Sequence, residues 1–172
     1  MDDELLDVVD EQDQPIGTVN RADYAAFLKN QKGYLRAIDM FIVNREGKIF
    51  TPTRTANKTI APNGLDYSVG GHVSAGEGYM ETLIRETEEE LNMHITEQDV
   101  EFIGKILTPY NRYVRCVYLV RSDRTPDFNK DDFKAAEWLT SGEILEKINE
   151  GHPAKDSLAL TVGLLQAHLL AR

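Results

Sequence analysis

The stretch Gly70-Gly71-His72-Val73-Ser74-Ala75-Gly76-Glu77-Gly78-Tyr79-Met80-Glu81-Thr82-Leu83-Ile84-Arg85-Glu86-Thr87-Glu88-Glu89-Glu90-Leu91-Asn92-Met93 decides how this chain is read. Apolar side chains at Met80, Leu83, Ile84 and Leu91 recur at helical spacing. Gly76 and Gly78 keep a helix from starting much earlier, and Asn92 stops it, so the pattern predicts a helix over about Gly78–Leu91. At about 100° per residue, Glu86, Glu89 and Glu90 fall within an arc of roughly 100°, beside the apolar stripe rather than opposite it. Their carboxylates then point along the surface into a groove. Arg85 has Glu81 one turn back and Glu88 and Glu89 one turn ahead, and is expected to hold this acidic surface together.

The charge stands at the unfavourable end of the helix. Glu86, Glu88, Glu89 and Glu90 crowd the C-terminus, where the macrodipole favours cations and each carboxylate costs up to ~1 kcal/mol. Two readings fit: a solvated acidic face, or hard oxygen ligands for a divalent cation, which would remove the conflict.

The glycines and the spacing add to the second reading. The stretch matches Gly-x5-Glu-x7-Arg-Glu-U-x-Glu-Glu-x-Gly-U, the Nudix box, at Gly71, Glu77, Arg85, Glu86, Glu89 and Glu90, and so resembles the Nudix hydrolase family. Thr87 stands where the box has an aliphatic residue, Asn92 replaces its last glycine, and Met93 fills its last aliphatic position. Asn tolerates the left-handed cap that Gly usually supplies, and Thr87 concerns packing rather than chemistry.

The resemblance implies an α/β/α sandwich with a mixed central sheet, and a Mg²⁺-dependent pyrophosphohydrolase, with Mn²⁺ as a substitute. The expected substrate is a nucleoside diphosphate or a nucleoside diphosphate linked to a further group X. Attack on the diphosphate by a metal-activated water is the reaction such a site suits. By resemblance, Glu86 and Glu90 are metal ligands, Glu89 shares a second ion or acts as base, and the Gly70 carbonyl is a backbone ligand. Glu77 and Arg85 form an orienting pair, with a purely structural ion pair as the other reading. Arg54, Lys58, Arg112 and Arg115 are candidates to hold phosphate, each weighed against an ordinary surface charge. Asp131 and Asp132 stand where the family often supplies a further carboxylate. His72 is read as a hydrogen-bonded structural histidine, and Trp138 as packing at the sheet edge.

The opening Val8-Val9-Asp10-Glu11-x-x-x-Pro-Ile-Gly-Thr, the run Leu35-Arg36-Ala37-Ile38 and the Arg54…Lys58…Pro62 loop resemble isopentenyl-diphosphate-isomerase-like Nudix proteins. That chemistry relies on a cysteine in the strand before the box. Here the region reads Asp66-Tyr67-Ser68-Val69-Gly70-Gly71-His72, without one. A non-catalytic nucleotide-binding module is the remaining alternative, although such relatives typically lose box glutamates.

The chain has 172 residues and can bury a real core as one domain, with residues 1–33 forming an N-terminal hairpin and short helix joined to a domain over 34–172. The net charge of −10 argues against a broad nucleic-acid-binding surface and requires local cations for an anionic substrate. The single cysteine, Cys116, fits a buried packing role and a reducing cytoplasm. The start Met1-Asp2-Asp3-Glu4 lacks the features of a signal peptide, and no apolar run reaches membrane-spanning length.

Strands are expected over Leu5–Val9, Ile16–Val19, Leu35–Val43, Lys48–Phe50, Glu101–Leu107, Tyr113–Val120 and Lys134–Leu139. Lys48–Phe50 reads as the hairpin partner of Leu35–Val43, and Gly70-Gly71 as a turn. Asn20 or Asp23 caps a helix to Lys29, Ser141 caps one over Glu143–Asn149, and Asp156 or Ser157 begins a last one to about Leu170. The N-terminal hairpin could join a partner's sheet, which leaves a homodimer open.

Overall fold

The computed structural model describes residues 4–30 and 32–171, so the acidic start Met1-Asp2-Asp3 lies outside the described residues. The strands are β1 (Leu5–Val9), β2 (Pro15–Asn20), β3 (Tyr34–Val43), β4 (Ile49–Arg54), β5 (Val69–His72), β6 (Val100–Thr108), β7 (Tyr113–Arg121) and β8 (Phe133–Leu139). The helices are α1 (Tyr24–Asn30), α2 (Tyr79–Leu91), α3 (Ser141–Asn149) and α4 (Leu158–Leu170).

Strand β3 is the axis. The ten residues from Tyr34 to Val43 are buried on both faces, apart from the half-buried Arg36. Parallel pairing with β7 occupies one edge of β3 from Leu35 to Val43. The other edge is therefore shared in succession by β1 at Tyr34 and Leu35, β5 from Ala37 to Met40, and β4 at Val43 alone. All of these are antiparallel, so the sheet is mixed, as expected.

The β3–β4 hairpin differs from the sequence expectation. Its strands pair only at Val43 and Ile49, beside a turn in which Gly47 has a positive φ. Strand β4 then departs and pairs antiparallel with β8 from Ile49 to Arg54. The space opened between β3 and β4 is filled by β5.

The alternation of β3 sorts its side chains into two layers. Ile38, Met40 and Ile42 pack with Leu83 and Leu91 of α2, whereas Phe41 and Val43 pack with Ile144 of α3 and Leu158, Val162 and Leu165 of α4. Helices thus cover both faces. Fully burying a Leu such as Leu83 or Leu165 is worth ~1.5–3 kcal/mol. Cys116 and Trp138 belong to the α2-side layer, where Trp138 meets Phe50 edge-on at 5.5 Å. Among the described residues no helix is long and apolar enough to cross a membrane.

Helix ends follow the chemistry of their caps. Asn92 takes the left-handed conformation (φ 47°) and its N–H donates to the Glu88 carbonyl at 3.0 Å, while its amide donates to the Asp127 carbonyl at 2.8 Å. Thr87 is fully buried and satisfies its hydroxyl on the Leu83 carbonyl at 2.6 Å. Asn20 caps the turn before α1, and Ser157 stands at the start of α4. Thr140, not Ser141, caps α3: its Oγ1 accepts from the Glu143 N–H at 3.2 Å, and Glu143 accepts from the Thr140 N–H at 2.7 Å.

Candidate active site

Gly70 and Gly71 do not form a turn. Both lie inside β5, paired with Asp39 and Ile38 of β3. They are glycines because of what approaches them. A Cβ at Gly70 would come within 2.7 Å of the Tyr67 ring, and one at Gly71 within 2.5 Å of Glu86 Cδ. The carboxylate of Glu86 therefore rests in the space that Gly71 leaves open.

Helix α2 runs beside this strand. Arg85 donates from Nε and Nη2 to the two Glu77 oxygens, both at 2.9 Å, and from Nη1 to Glu86 at 2.8 Å and Glu89 at 3.4 Å. Glu77 is held further by the Thr82 hydroxyl at 2.7 Å and the Ser74 N–H at 3.3 Å. The Arg85 guanidinium keeps the Glu77 carboxyl below its usual range. The expected neighbours Glu81 and Glu88 are turned elsewhere: Glu81 reaches the Gly78 N–H at 3.4 Å, and Glu88 lies 3.5 Å from His94.

The glutamate arc grades from wall to rim. The Glu86 side chain is 16% exposed and that of Glu89 is 59% exposed. Glu90 Oε2 accepts the Gly70 N–H at 3.2 Å. Burial, followed by the nearby carboxylates of Asp66 and Glu86, pushes Glu90 well above the usual carboxylate range. Glu86 is raised too, by burial against the opposing pull of Arg85.

These groups line a cavity of about 1020 Å³, at the upper end of small-molecule sites. Gly70, Arg85, Glu86, Glu89, Glu90, Arg54, Lys58, Asp131 and Asp132 are all in its wall, whereas Glu77 stands behind Arg85. Arg54 is locked to Asp66 and to the Ile60 carbonyl, and Lys58 to Asp132. Arg112 does not line the cavity: it occupies a left-handed turn (φ 59°), lies over the Tyr34 ring at 4.2 Å and donates to the Gly33 carbonyl at 2.9 Å. Arg115, on the following strand, is the arginine that reaches the wall.

His72 is in the wall, with Nε2 2.7 Å from the Tyr113 hydroxyl. Enclosure, with further contributions from Arg21, Lys155 and Arg115, lowers its pKa to about 3, so it stays neutral near pH 7. Cys116 does not line the cavity. Burial in the core raises its thiol to about 11.

Several wall residues were not singled out in the sequence. Asp39, Lys155, Asn111, Tyr113, Glu4 and Arg21 all line the cavity. Asp39 carried a signal, as a lone charge in the otherwise apolar run Ile38–Val43. Lys155 carried none: its Nζ lies 4.0 Å from Asp66 because the backbone of its loop pairs with Leu65.

The donor chemistry fits a hard divalent cation. Glu86 and Glu90 offer carboxylate oxygens beside the Gly70 backbone, and among the described residues the enclosed Glu90 carboxylate has one N–H for its charge. In the present arrangement no three Asp, Glu, His or Cys side chains among the described residues are gathered to hold a metal, and Glu86 is drawn to Arg85.

Comparisons with known proteins follow the same lines. The family model described as "NUDIX domain" matches residues 33–159. A protein of Nostoc sp., called an uncharacterized Nudix hydrolase, is 42% identical over 169 residues, covering 96% of this chain and 97% of its own. A crystal structure of a protein from Deinococcus radiodurans superposes with a TM-score of 0.82 at 37% identity, covering 92% of this chain and 97% of that one. A protein of Photorhabdus laumondii named an isopentenyl-diphosphate Delta-isomerase is 29% identical over 86% of this chain and 83% of its own.

Proposed function

The chain belongs to the Nudix hydrolase family, whose members act on phosphoric anhydride bonds, and from that premise we propose a Mg²⁺-dependent pyrophosphohydrolase of nucleoside diphosphates or their X-linked derivatives. The observation that carries this reading is the pair of enclosed carboxylates, Glu86 and Glu90, set beside Gly70 and Gly71 in the wall of a cavity that also presents cations. An anion enclosed with little compensation is costly, and a hard cation removes that cost.

Glu86, Glu90 and the Gly70 carbonyl are the proposed holders of the metal, with Glu89 at the rim as a further ligand or base. Mg²⁺ at this site, with Mn²⁺ as a substitute, would polarise the phosphoryl oxygens and lower the pKa of a bound water. Arg85 orients Glu86 and is itself held by Glu77. Lys155 is the proposed cation for substrate phosphate, because its nearest carboxylate among the described residues is 4.0 Å away and Asp66 is already bound to Arg54. Arg54 and Lys58 serve the same end where a phosphate displaces their present partners. The domain limits proposed are residues 34–172, with residues 1–33 as an extension whose β1 joins the same sheet.

Thiol-dependent isomerase chemistry finds no support in this cavity. The one cysteine of the chain packs in the α2-side core. The deciding experiment offers nucleoside diphosphates and nucleoside-diphosphate sugars with Mg²⁺ and follows release of the nucleoside monophosphate by ion-exchange chromatography. Chelator-sensitive release is the expected result, and undiminished turnover in excess EDTA would overturn the proposal.

A further inference from the structure

The wall contributed by β3 and β7 differs from the acidic end of α2. Asp39 is 1% exposed, and both its oxygens accept from Arg115 Nη1, at 3.0 and 3.2 Å. The Arg115 side chain is 7% exposed, and its Nε is buried without an acceptor among the described residues. Leaving a buried N–H unpaired is destabilising. The guanidinium lies 4.8 Å from the Tyr113 ring centroid, and the Tyr24 ring centroid lies 5.7 Å from that of Tyr113. Next to them, Asn111 Nδ2 donates to Asp156 at 2.9 Å. All six of these residues line the cavity.

The chemistry of this wall selects among ligands. Asp39 and Arg115 cancel in formal charge, so the wall is not a second phosphate site. A hydrocarbon chain placed here would leave the Arg115 Nε–H without an acceptor. A neutral planar ring satisfies both conditions: one edge can carry donors and acceptors, and one face can lie against a tyrosine. We propose that the Asp39–Arg115 wall is the nucleobase subsite, in which these two side chains and Asn111 read the hydrogen-bonding edge of the base. The inference rests on the reading of the cavity as a nucleotide site and assigns the orientation of the substrate within it: diphosphate toward Glu86 and Glu90, base toward β3 and β7.

The test compares kcat/KM for the adenosine, cytidine, guanosine and uridine 5′-diphosphates with that for ribose 5-diphosphate, which lacks a base. Sites built to hydrogen-bond a polar group reject analogues without it strongly, so at least one nucleotide should exceed ribose 5-diphosphate by about 100-fold or more. The double variant Asp39→Asn/Arg115→Gln, which keeps the formal charge of the wall, should reduce that ratio at least tenfold. A second measurement is independent of hydrolysis: in ¹⁵N-labelled protein, added nucleosides should shift the Arg115 Nε–H resonance and ribose should not. Ratios within about threefold for all four bases, or a ratio retained in a folded double variant, would overturn the subsite while leaving the hydrolase standing. If no diphosphate is cleaved, the proposed function fails, and the resonance of Arg115 alone decides the subsite: no nucleoside-induced shift overturns it. The same resonance decides if the double variant does not fold.

Discussion

Arg85 and Glu77, eight residues apart, are joined by two parallel hydrogen bonds of 2.9 Å, one from Nε and one from Nη2. The pair fastens the Gly76–Gly78 loop to the middle of α2. A flat guanidinium meets a flat carboxylate in the geometry that favours arginine over lysine. Arg85→Gln leaves Glu77, whose side chain is 13% exposed, without its main partner. The metal-free variant should lose roughly 1–3 kcal/mol, read as a lower midpoint in urea unfolding. Arg85→Lys should recover only part of that loss. A glutamine variant as stable as the parent would show the pair to be a surface contact.

Glu86→Gln and Glu90→Gln should behave in the opposite way. Each removes a negative charge from the C-terminal half of a helix, where the dipole disfavours it, and from a wall that already raises both pKa values. Without metal each variant should melt at an equal or higher temperature than the parent. With Mg²⁺ the stabilisation by mass action should shrink, and kcat should fall by about 100-fold or more. A variant that keeps the Mg²⁺-induced shift and near-normal turnover would make these carboxylates a solvated face.

Those two residues were legible because their chemistry and their spacing lie in one continuous stretch. The same holds for α2, read as Gly78–Leu91 and observed as Tyr79–Leu91, and for the left-handed cap at Asn92. Legibility ended where partners are remote in sequence. Nothing local in Lys48–Phe50 says that β4 leaves β3 for β8 after one paired position. The two glycines suggested a turn because glycine serves both positive φ and close approach, and only the Tyr67 ring and the Glu86 carboxylate distinguish the two. Arg112 and Arg115 were equivalent on paper. Arg112 falls in the left-handed turn before β7 and lies over Tyr34, whereas Arg115 is on β7 itself and lines the cavity.

Cys116 supplies a pH prediction. Burial raises its thiol from near 9 to about 11, so between those values the unfolded chain has released a proton that the folded chain retains. The unfolded state then binds fewer protons, and stability falls as pH rises through that window. The contribution is intact below pH 9 and lost by about pH 11. Urea midpoints measured from pH 8 to pH 11 should decline less in Cys116→Ala than in the parent. Turnover of the variant should match the parent, because Cys116 does not line the cavity. A large loss of turnover in a folded variant would return thiol chemistry to consideration.

Gly70→Ala and Gly71→Ala should separate stability from function. A methyl at Gly70 meets the Tyr67 ring at 2.7 Å, and that ring is 1% exposed in the core. It has nowhere to go, and overpacking of this kind costs ~1–3 kcal/mol. A methyl at Gly71 meets Glu86 at 2.5 Å, a side chain that can swing aside. Neither glycine has a positive φ, so alanine brings no backbone strain. Gly71→Ala should therefore fold with a melting temperature near that of the parent, while the carboxylate proposed to hold Mg²⁺ is displaced. Its Mg²⁺-induced stabilisation should drop, and kcat/KM should fall roughly 10–100-fold, as when support for a metal ligand is removed. Gly17→Ala, with nothing within 4 Å of the added methyl, serves as the control. A Gly71→Ala protein with the parent's Mg²⁺ response and turnover would show that Glu86 does not need its place beside β5, and the proposed metal site would lose its anchor.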